Sequence, residues 1–127
     1  ADLFTAVLEG TAYETEAIRR RAEALTGTAI ERVVATGGGT RSGGWLQIKA
    51  DVVGCPIDVS LVAEATLVGA AMVAGLGCGL IAELPTIPEA ATVVQPVAER
   101  HAAYRRLFDE GYATLQPLVR QGRGWEP

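Results

Sequence analysis

Ala35-Thr36-Gly37-Gly38-Gly39-Thr40-Arg41-Ser42-Gly43-Gly44-Trp45-Leu46-Gln47 decides the fold, because it joins a β-branched run to an amphipathic helix through five glycines and a capping serine. Before it, Ile30 to Thr36, with Arg32-Val33-Val34-Ala35 at the centre, reads as a short buried strand whose carboxyl end carries the glycines. After it, Ser42 is placed to cap a helix from Gly44 to Val53 that buries Trp45, Ile48 and Val52, with Gly54 closing it. Glycine admits positive φ and lets a ligand reach the backbone, while a helix N-terminus offers unpaired N–H groups and partial positive charge. Such a loop suits a nucleotide, and the same composition also serves a plain flexible strand-to-helix connection. A Walker loop is excluded because Gly43 is followed by Gly44-Trp45 in place of Lys and a hydroxyl residue. The dinucleotide fingerprint counted from Gly37 meets Ser42 where a glycine or alanine is needed, so it is excluded too.

Outward from the loop, residues 2 to 26 carry Leu3, Val7, Leu8, Ile18, Ala22 and Leu25 at helical spacing, with Gly27 as the stop. Pro56 to Ser60 makes a second short strand, and an Ala/Gly-rich helix runs from Glu64 to Ile81. That helix has no charge from Ala65 to Ala82, and Gly69, Ala70, Ala71 and Ala74 let neighbouring backbones approach, so burial on nearly all sides is expected. The order α-β-α-β-α predicts parallel strands joined by right-handed crossovers. Pro85, Pro88 and Pro96 punctuate a connection with a helical turn or two around Glu89 to Val94. Residues 97 to 120 resume helical spacing, with Pro117 set to kink or end the helix, and Gln121 to Pro127 read as a disordered tail. Two strands leave exposed edges, so further strands are expected from elsewhere in a longer chain.

The sequence has 127 residues, enough for one domain, and begins Ala1-Asp2 inside an amphipathic pattern with Met72 as its sole methionine. It therefore reads as a piece of something longer. A net charge of −4 and no basic cluster larger than Arg19-Arg20-Arg21 argue against a nucleic-acid surface; those arginines read as a solvated helix face. Cys55 and Cys78 form no C-x-x-C pair and His101 is the sole histidine, which speaks for free thiols in a reducing cytoplasm and against a metal site. Ala65 to Ala82 is nearly long enough to span a bilayer, but its flanking charges are Glu64 and Glu83 and it has no interfacial aromatic. No membrane span is expected.

Leu8-Glu9-Gly10-Thr11-Ala12, then Thr36-Gly37-Gly38-Gly39-Thr40-Arg41-Ser42 with Trp45-Leu46-Gln47-Ile48 and Ala50-Asp51-Val52, then Glu64-Ala65-Thr66-Leu67-Val68-Gly69-Ala70-Ala71 follow one another in order. Together they resemble the carboxy-terminal portion of the FGGY carbohydrate kinases, over residues 2 to 82. The resemblance implies a partial actin-like, ribonuclease-H-like ATPase lobe of α/β class that lacks its first strands. It divides the chain into residues 1–95, the carboxy-terminal part of the nucleotide-binding lobe; 96–120, a terminal helix; and the tail 121–127. It implies ATP in a cleft between two lobes and a sugar or polyol held mainly by the other lobe. The remaining amino-terminal part of the kinase would be this chain's partner, and a homodimer is compatible with the pattern.

Carried onto this sequence, the resemblance runs Gly38 and Gly39 past the adenosine and sets Gly43 near the adenine. Ser42 belongs to the same nucleotide-binding stretch, chiefly as the helix cap. Gly43-Gly44 departs from the larger residues common there, and Arg41 can stack on the base or face solvent, with solvent the reading taken here. The catalytic aspartate, the Gly-Thr phosphate loops and the Mg²⁺ site have no counterpart in these residues and are expected outside this chain. Asp51 reads as structural and not as a substitute base. A non-catalytic nucleotide-binding regulatory module of the actin-like superfamily would show the same loop and stands as the alternative. A serine hydrolase does not fit, since neither Ser42 nor Ser60 lies in G-x-S-x-G.

Overall fold

Val33–Ala35 (β1) and Ile57–Val59 (β2) pair in parallel, with Val33 opposite Ile57 and Ala35 opposite Val59, as their β-branched runs predict. The computed structural model describes residues 2–62, 64–86 and 92–122. Helix α1 (Asp2–Thr26) precedes β1; a 3-10 turn (Gly38–Arg41) and α2 (Gly43–Val53) join β1 to β2; α3 (Ala65–Gly77) follows β2. Strand β3 (Thr92–Val94) then runs antiparallel to β2, giving the sheet order β1-β2-β3. This strand replaces the helical turn expected around Glu89 to Val94, of which residues 89–91 lie outside the described residues. Thr92-Val93-Val94 are all β-branched, and the otherwise unpaired edge of β2 supplies the hydrogen-bond partners that favour extension.

Helix α2 is the central helix. Leu46, Ala50, Asp51, Val52 and Val53 are all buried, and Leu46, Ala50 and Ile57 form a core against Val33, Ala35, Val59 and Val94. Trp45 and Ile48, expected inside, are half-buried. Gly54 ends α2 in the left-handed region at φ 75, as its position predicts, and a Cβ there would overlap the His101 ring.

Two expectations about burial are corrected. No residue of α3 is buried, and Leu67 and Val73 are each more than three-fifths exposed. The Ala/Gly pattern of α3 encodes close packing, but the covering layer is not among the described residues. Helix α1 turns Leu3, Phe4, Val7, Ile18 and Leu25 outward and buries Ala12 and Glu16. Its inward face is held by ions. Glu16 accepts from Arg19 Nε at 2.8 Å and Arg20 Nε at 2.6 Å; Arg19 also reaches Glu23, and Arg20 reaches Asp109 beyond the helix. Only Arg21 of the triplet stands on the exposed face assigned to all three.

The terminal helix is three pieces: α4 (Ala98–Leu107), a π turn (Phe108–Tyr112) and α5 (Ala113–Gly122). Ala113 N–H donates to Phe108 O, five residues back, which swings Phe108 and Tyr112 onto Tyr13 of α1 at centroid distances of 6.0 and 5.3 Å. Pro117 sits inside α5 without ending it, and the helix continues through Gln121 and Gly122 of the expected tail. Residues 123–127 lie outside the described residues.

Tyr104 adds a second tie, its hydroxyl donating to Glu9 at 2.8 Å. Burial and then this bond to a carboxylate push its pKa from 10.0 up to about 12. The folded pKa is raised, so the stabilisation is complete below the unfolded value near 10 and is lost as pH rises through about 12. Alkaline melts should therefore show the difference between the parent and Tyr104→Phe shrinking across that window. A difference that stays constant through it would contradict the tie.

Candidate functional site

The chain leaves β1 at its carboxyl end and turns at once. Gly37 adopts φ 86 with ψ −176, a conformation open only to glycine, and this directs Gly38–Arg41 into the 3-10 turn. Thr40 locks the turn twice, donating from its amide at 3.1 Å and its hydroxyl at 2.7 Å to Gly37 O, and Ser42 N–H donates to Gly39 O at 3.2 Å. Ser42 then caps α2 by accepting from Trp45 N–H at 3.4 Å, as its place predicts. Gly38, Gly39, Ser42 and Gly43 thus come together on one short loop.

Their roles divide. A Cβ built on Gly38, Gly43 or Gly44 would meet nothing within 4 Å, so the backbone there is open to an approaching ligand. The first-turn amides of α2 at Gly43 and Gly44 precede any carbonyl of their own helix that could accept them. Gly39 instead lies against the Trp45 ring, and a Cβ there would overlap it. The positive φ of the loop is at Gly37 and not at Gly39. Arg41 is exposed.

Beside the loop opens a cleft of about 330 Å³ bounded by β1, Thr36, Gly39, Thr40, Trp45, Thr15 and Lys49. Lys49, the single lysine, donates to Thr15 Oγ1 at 3.1 Å and stands 4.7 Å over the Trp45 ring; burial holds its pKa below the usual lysine range. Thr11, Thr15 and Lys49 were missed in the sequence. The matching i, i+4 spacings Thr11/Thr15 and Trp45/Lys49 were the signal that two helix faces meet there.

Asp51 is structural, as read. Its carboxylate is fully buried, accepting from Val97 N–H at 2.7 Å at the start of α4, from Gln47 Nε2 at 2.9 Å and from Arg100 at 3.2 Å. Its carbonyl oxygen lies 2.9 Å from His101 Nδ1, fixing that ring against Gly54. Cys55 and Cys78 are both free thiols, and burial pushes the Cys55 thiol up, away from reactivity. Among the described residues no three His, Cys, Asp or Glu side chains gather as a metal site, and no helix is long and apolar enough to cross a membrane.

Residues 1–78 match the FGGY family of carbohydrate kinases, C-terminal domain. An autoinducer-2 kinase of Klebsiella pneumoniae is 32% identical over 118 residues, which is 93% of this chain and 22% of that protein. A crystal structure of a xyloylose kinase from Brucella ovis superposes with a TM-score of 0.72 at 27% identity, covering 92% of this chain and 25% of the other. A Plasmodium falciparum glycerol kinase solved with ADP shares the fold at TM-score 0.66 and 21% identity, covering 87% and 23%. The chain spans between a fifth and about a quarter of these proteins. With its glycine loop at the carboxyl end of a parallel strand and a partial actin-like α/β fold, this chain belongs to the FGGY family of carbohydrate kinases, as its C-terminal domain.

Proposed function

We propose that this chain forms the adenosine side of the ATP site in a carbohydrate kinase whose remaining, amino-terminal part binds the sugar or polyol. The observation that carries the reading is the open backbone at Gly38 and Gly43, held in place by the glycine-only geometry of Gly37 at the end of β1. In parallel α/β sheets, ligands bind where the strands' carboxyl ends open, and that is where this loop stands. Bound ATP would supply the γ-phosphoryl group for transfer to a hydroxyl of the acceptor. Gly38 would pass along the adenosine, Gly43 would border the adenine, and Ser42 would keep the α2 cap that fixes both. Gly39 would serve from behind, through its contact with Trp45.

The base that takes the hydroxyl proton, the phosphate loops and the Mg²⁺ ligands are assigned to the amino-terminal part, because no described acidic side chain stands in the loop cleft. We place residues 1–95 in the nucleotide-binding lobe, with residues 96–120 as its terminal helical arm, and the whole kinase in the cytoplasm. The outward apolar faces of α1 and α3 fit cover by that missing part. A coupled ADP-release assay is expected to show no sugar-dependent turnover by the 127-residue chain alone and clear turnover by the full-length kinase. Turnover by the chain alone on any pentose, hexose or polyol would refute the division. ATP binding without phosphoryl transfer by the full-length protein would favour a regulatory module instead.

A further inference from the structure

Behind the open face of the loop, two pairs of side chains one helical turn apart interlock. The Trp45 indole N–H donates to Thr11 Oγ1 at 3.1 Å, and the Thr11 hydroxyl itself donates to Leu8 O at 2.8 Å. Lys49 donates to Thr15 Oγ1 at 3.1 Å while its ammonium lies 4.7 Å over the Trp45 ring. The indole is therefore held at its N–H edge by α1 and on a face by a cation, and the Cζ3 edge of its six-membered ring lies against Gly39. We propose that Thr11 and Lys49 are positioning residues for the nucleotide loop: they fix the Trp45 ring, and the ring fixes Gly39.

The physical need is clear from the loop's composition. Gly37-Gly38-Gly39 is costly to order, since glycine loses more backbone freedom than any other residue. The turn's own bonds hold Gly37 O and Gly39 O, while no side chain packs over Gly38, where a Cβ would meet nothing within 4 Å. A rigid ring seated on Gly39 meets that ordering cost before a ligand arrives, which raises affinity through pre-organisation. Thr11 sits on the other helix, so α1 and the loop move as one body. Neither Thr11 nor Lys49 has to touch the nucleotide for this effect.

This inference rests on the assignment of the loop to ATP, and the test separates the two. ADP is titrated by calorimetry into the full-length kinase as wild type, Thr11→Val and Thr11→Ser. Thr11→Val keeps the shape and loses the acceptor; it is expected to raise the ADP Kd about fivefold, the worth of one neutral hydrogen bond, with unchanged stoichiometry. Thr11→Ser restores the hydroxyl and should bind like wild type. A purely structural defect would lower the fraction of competent sites and leave Kd alone. In 5-fluorotryptophan protein, the Trp45 fluorine signal, identified by its loss in Trp45→Phe, should broaden in Thr11→Val before ADP is added. Should Thr11→Val fail to fold, Lys49→Met takes its place with the same expectation. An unchanged Kd and an unchanged Trp45 signal beside normal wild-type binding would overturn the positioning role alone, whereas wild type that binds no ADP would overturn the nucleotide assignment beneath it.

Discussion

Gly39→Val in the full-length kinase is expected to weaken ATP binding by about tenfold or more, near 1.4 kcal/mol, while sugar binding stays as it was. A Cβ on Gly39 would collide with the Cζ3 edge of the Trp45 ring, with Cε3 at 3.0 Å. Valine adds two methyl groups to that conflict. The ring cannot simply retreat, because Thr11 holds its N–H and Lys49 covers it. The loop therefore has to lift, carrying Gly38 away from the position proposed beside the adenosine. Gly38→Ala makes a useful contrast, since its Cβ would meet none of the described residues within 4 Å and the Trp45 contact is left alone. Calorimetry with ATP and separately with the sugar checks both halves; equal losses for the two ligands would mean general damage and no specific role.

The largest stability effect is expected at Glu16. Its carboxylate is only 2% exposed and takes three bonds from Arg19 and Arg20, between 2.6 and 3.0 Å. Arg20 extends the network to Asp109 at 2.6 Å and lies 4.4 Å over the Phe108 ring, so one buried acid ties α1 to the π turn. Glu16→Ala leaves Arg19 with Glu23 and Arg20 with Asp109 as their remaining carboxylates, each beside an empty space. Removing one member of a buried ion pair costs about 3–5 kcal/mol; the partly exposed Arg20 draws the expectation to about 3. Glu16→Gln, which keeps volume and one acceptor, should lose less. Denaturant unfolding measures both, and a Glu16→Ala loss below about 1 kcal/mol would show the network to be no stronger than a surface pair.

Much of this was legible in the sequence for local reasons. Gly27 at φ 68 and Gly54 at φ 75 end α1 and α2 where a glycine stop belongs, and Ser42 caps where a cap belongs. The strands before and after the loop follow from their β-branched residues. What stayed hidden depends on partners distant in sequence. Strand β3 exists because β2 offers an edge, and three residues among prolines carry little signal of their own. The burial of Glu16 was not legible in α1 because hydrophobic periodicity marks only Leu3, Val7 and Ile18, while a buried Glu16 depends on Arg19 and Arg20 neutralising it. The exposure of α3 was hidden too, since an uncharged Ala/Gly surface reads as a buried one while the described residues bury none of it. At the site, the glycines were visible as a pattern, but the division between open Gly38 and ring-backed Gly39 needs the position of Trp45.

The central claim is that the Gly37–Gly43 loop borders the adenine ring of ATP. Photolabelling the full-length kinase with 8-azidoadenosine triphosphate, followed by peptide mapping, tests it at the base itself. The account predicts a covalent adduct within residues 36–45 that excess ATP suppresses, and an adduct that ATP suppresses but that lies wholly outside those residues would contradict it.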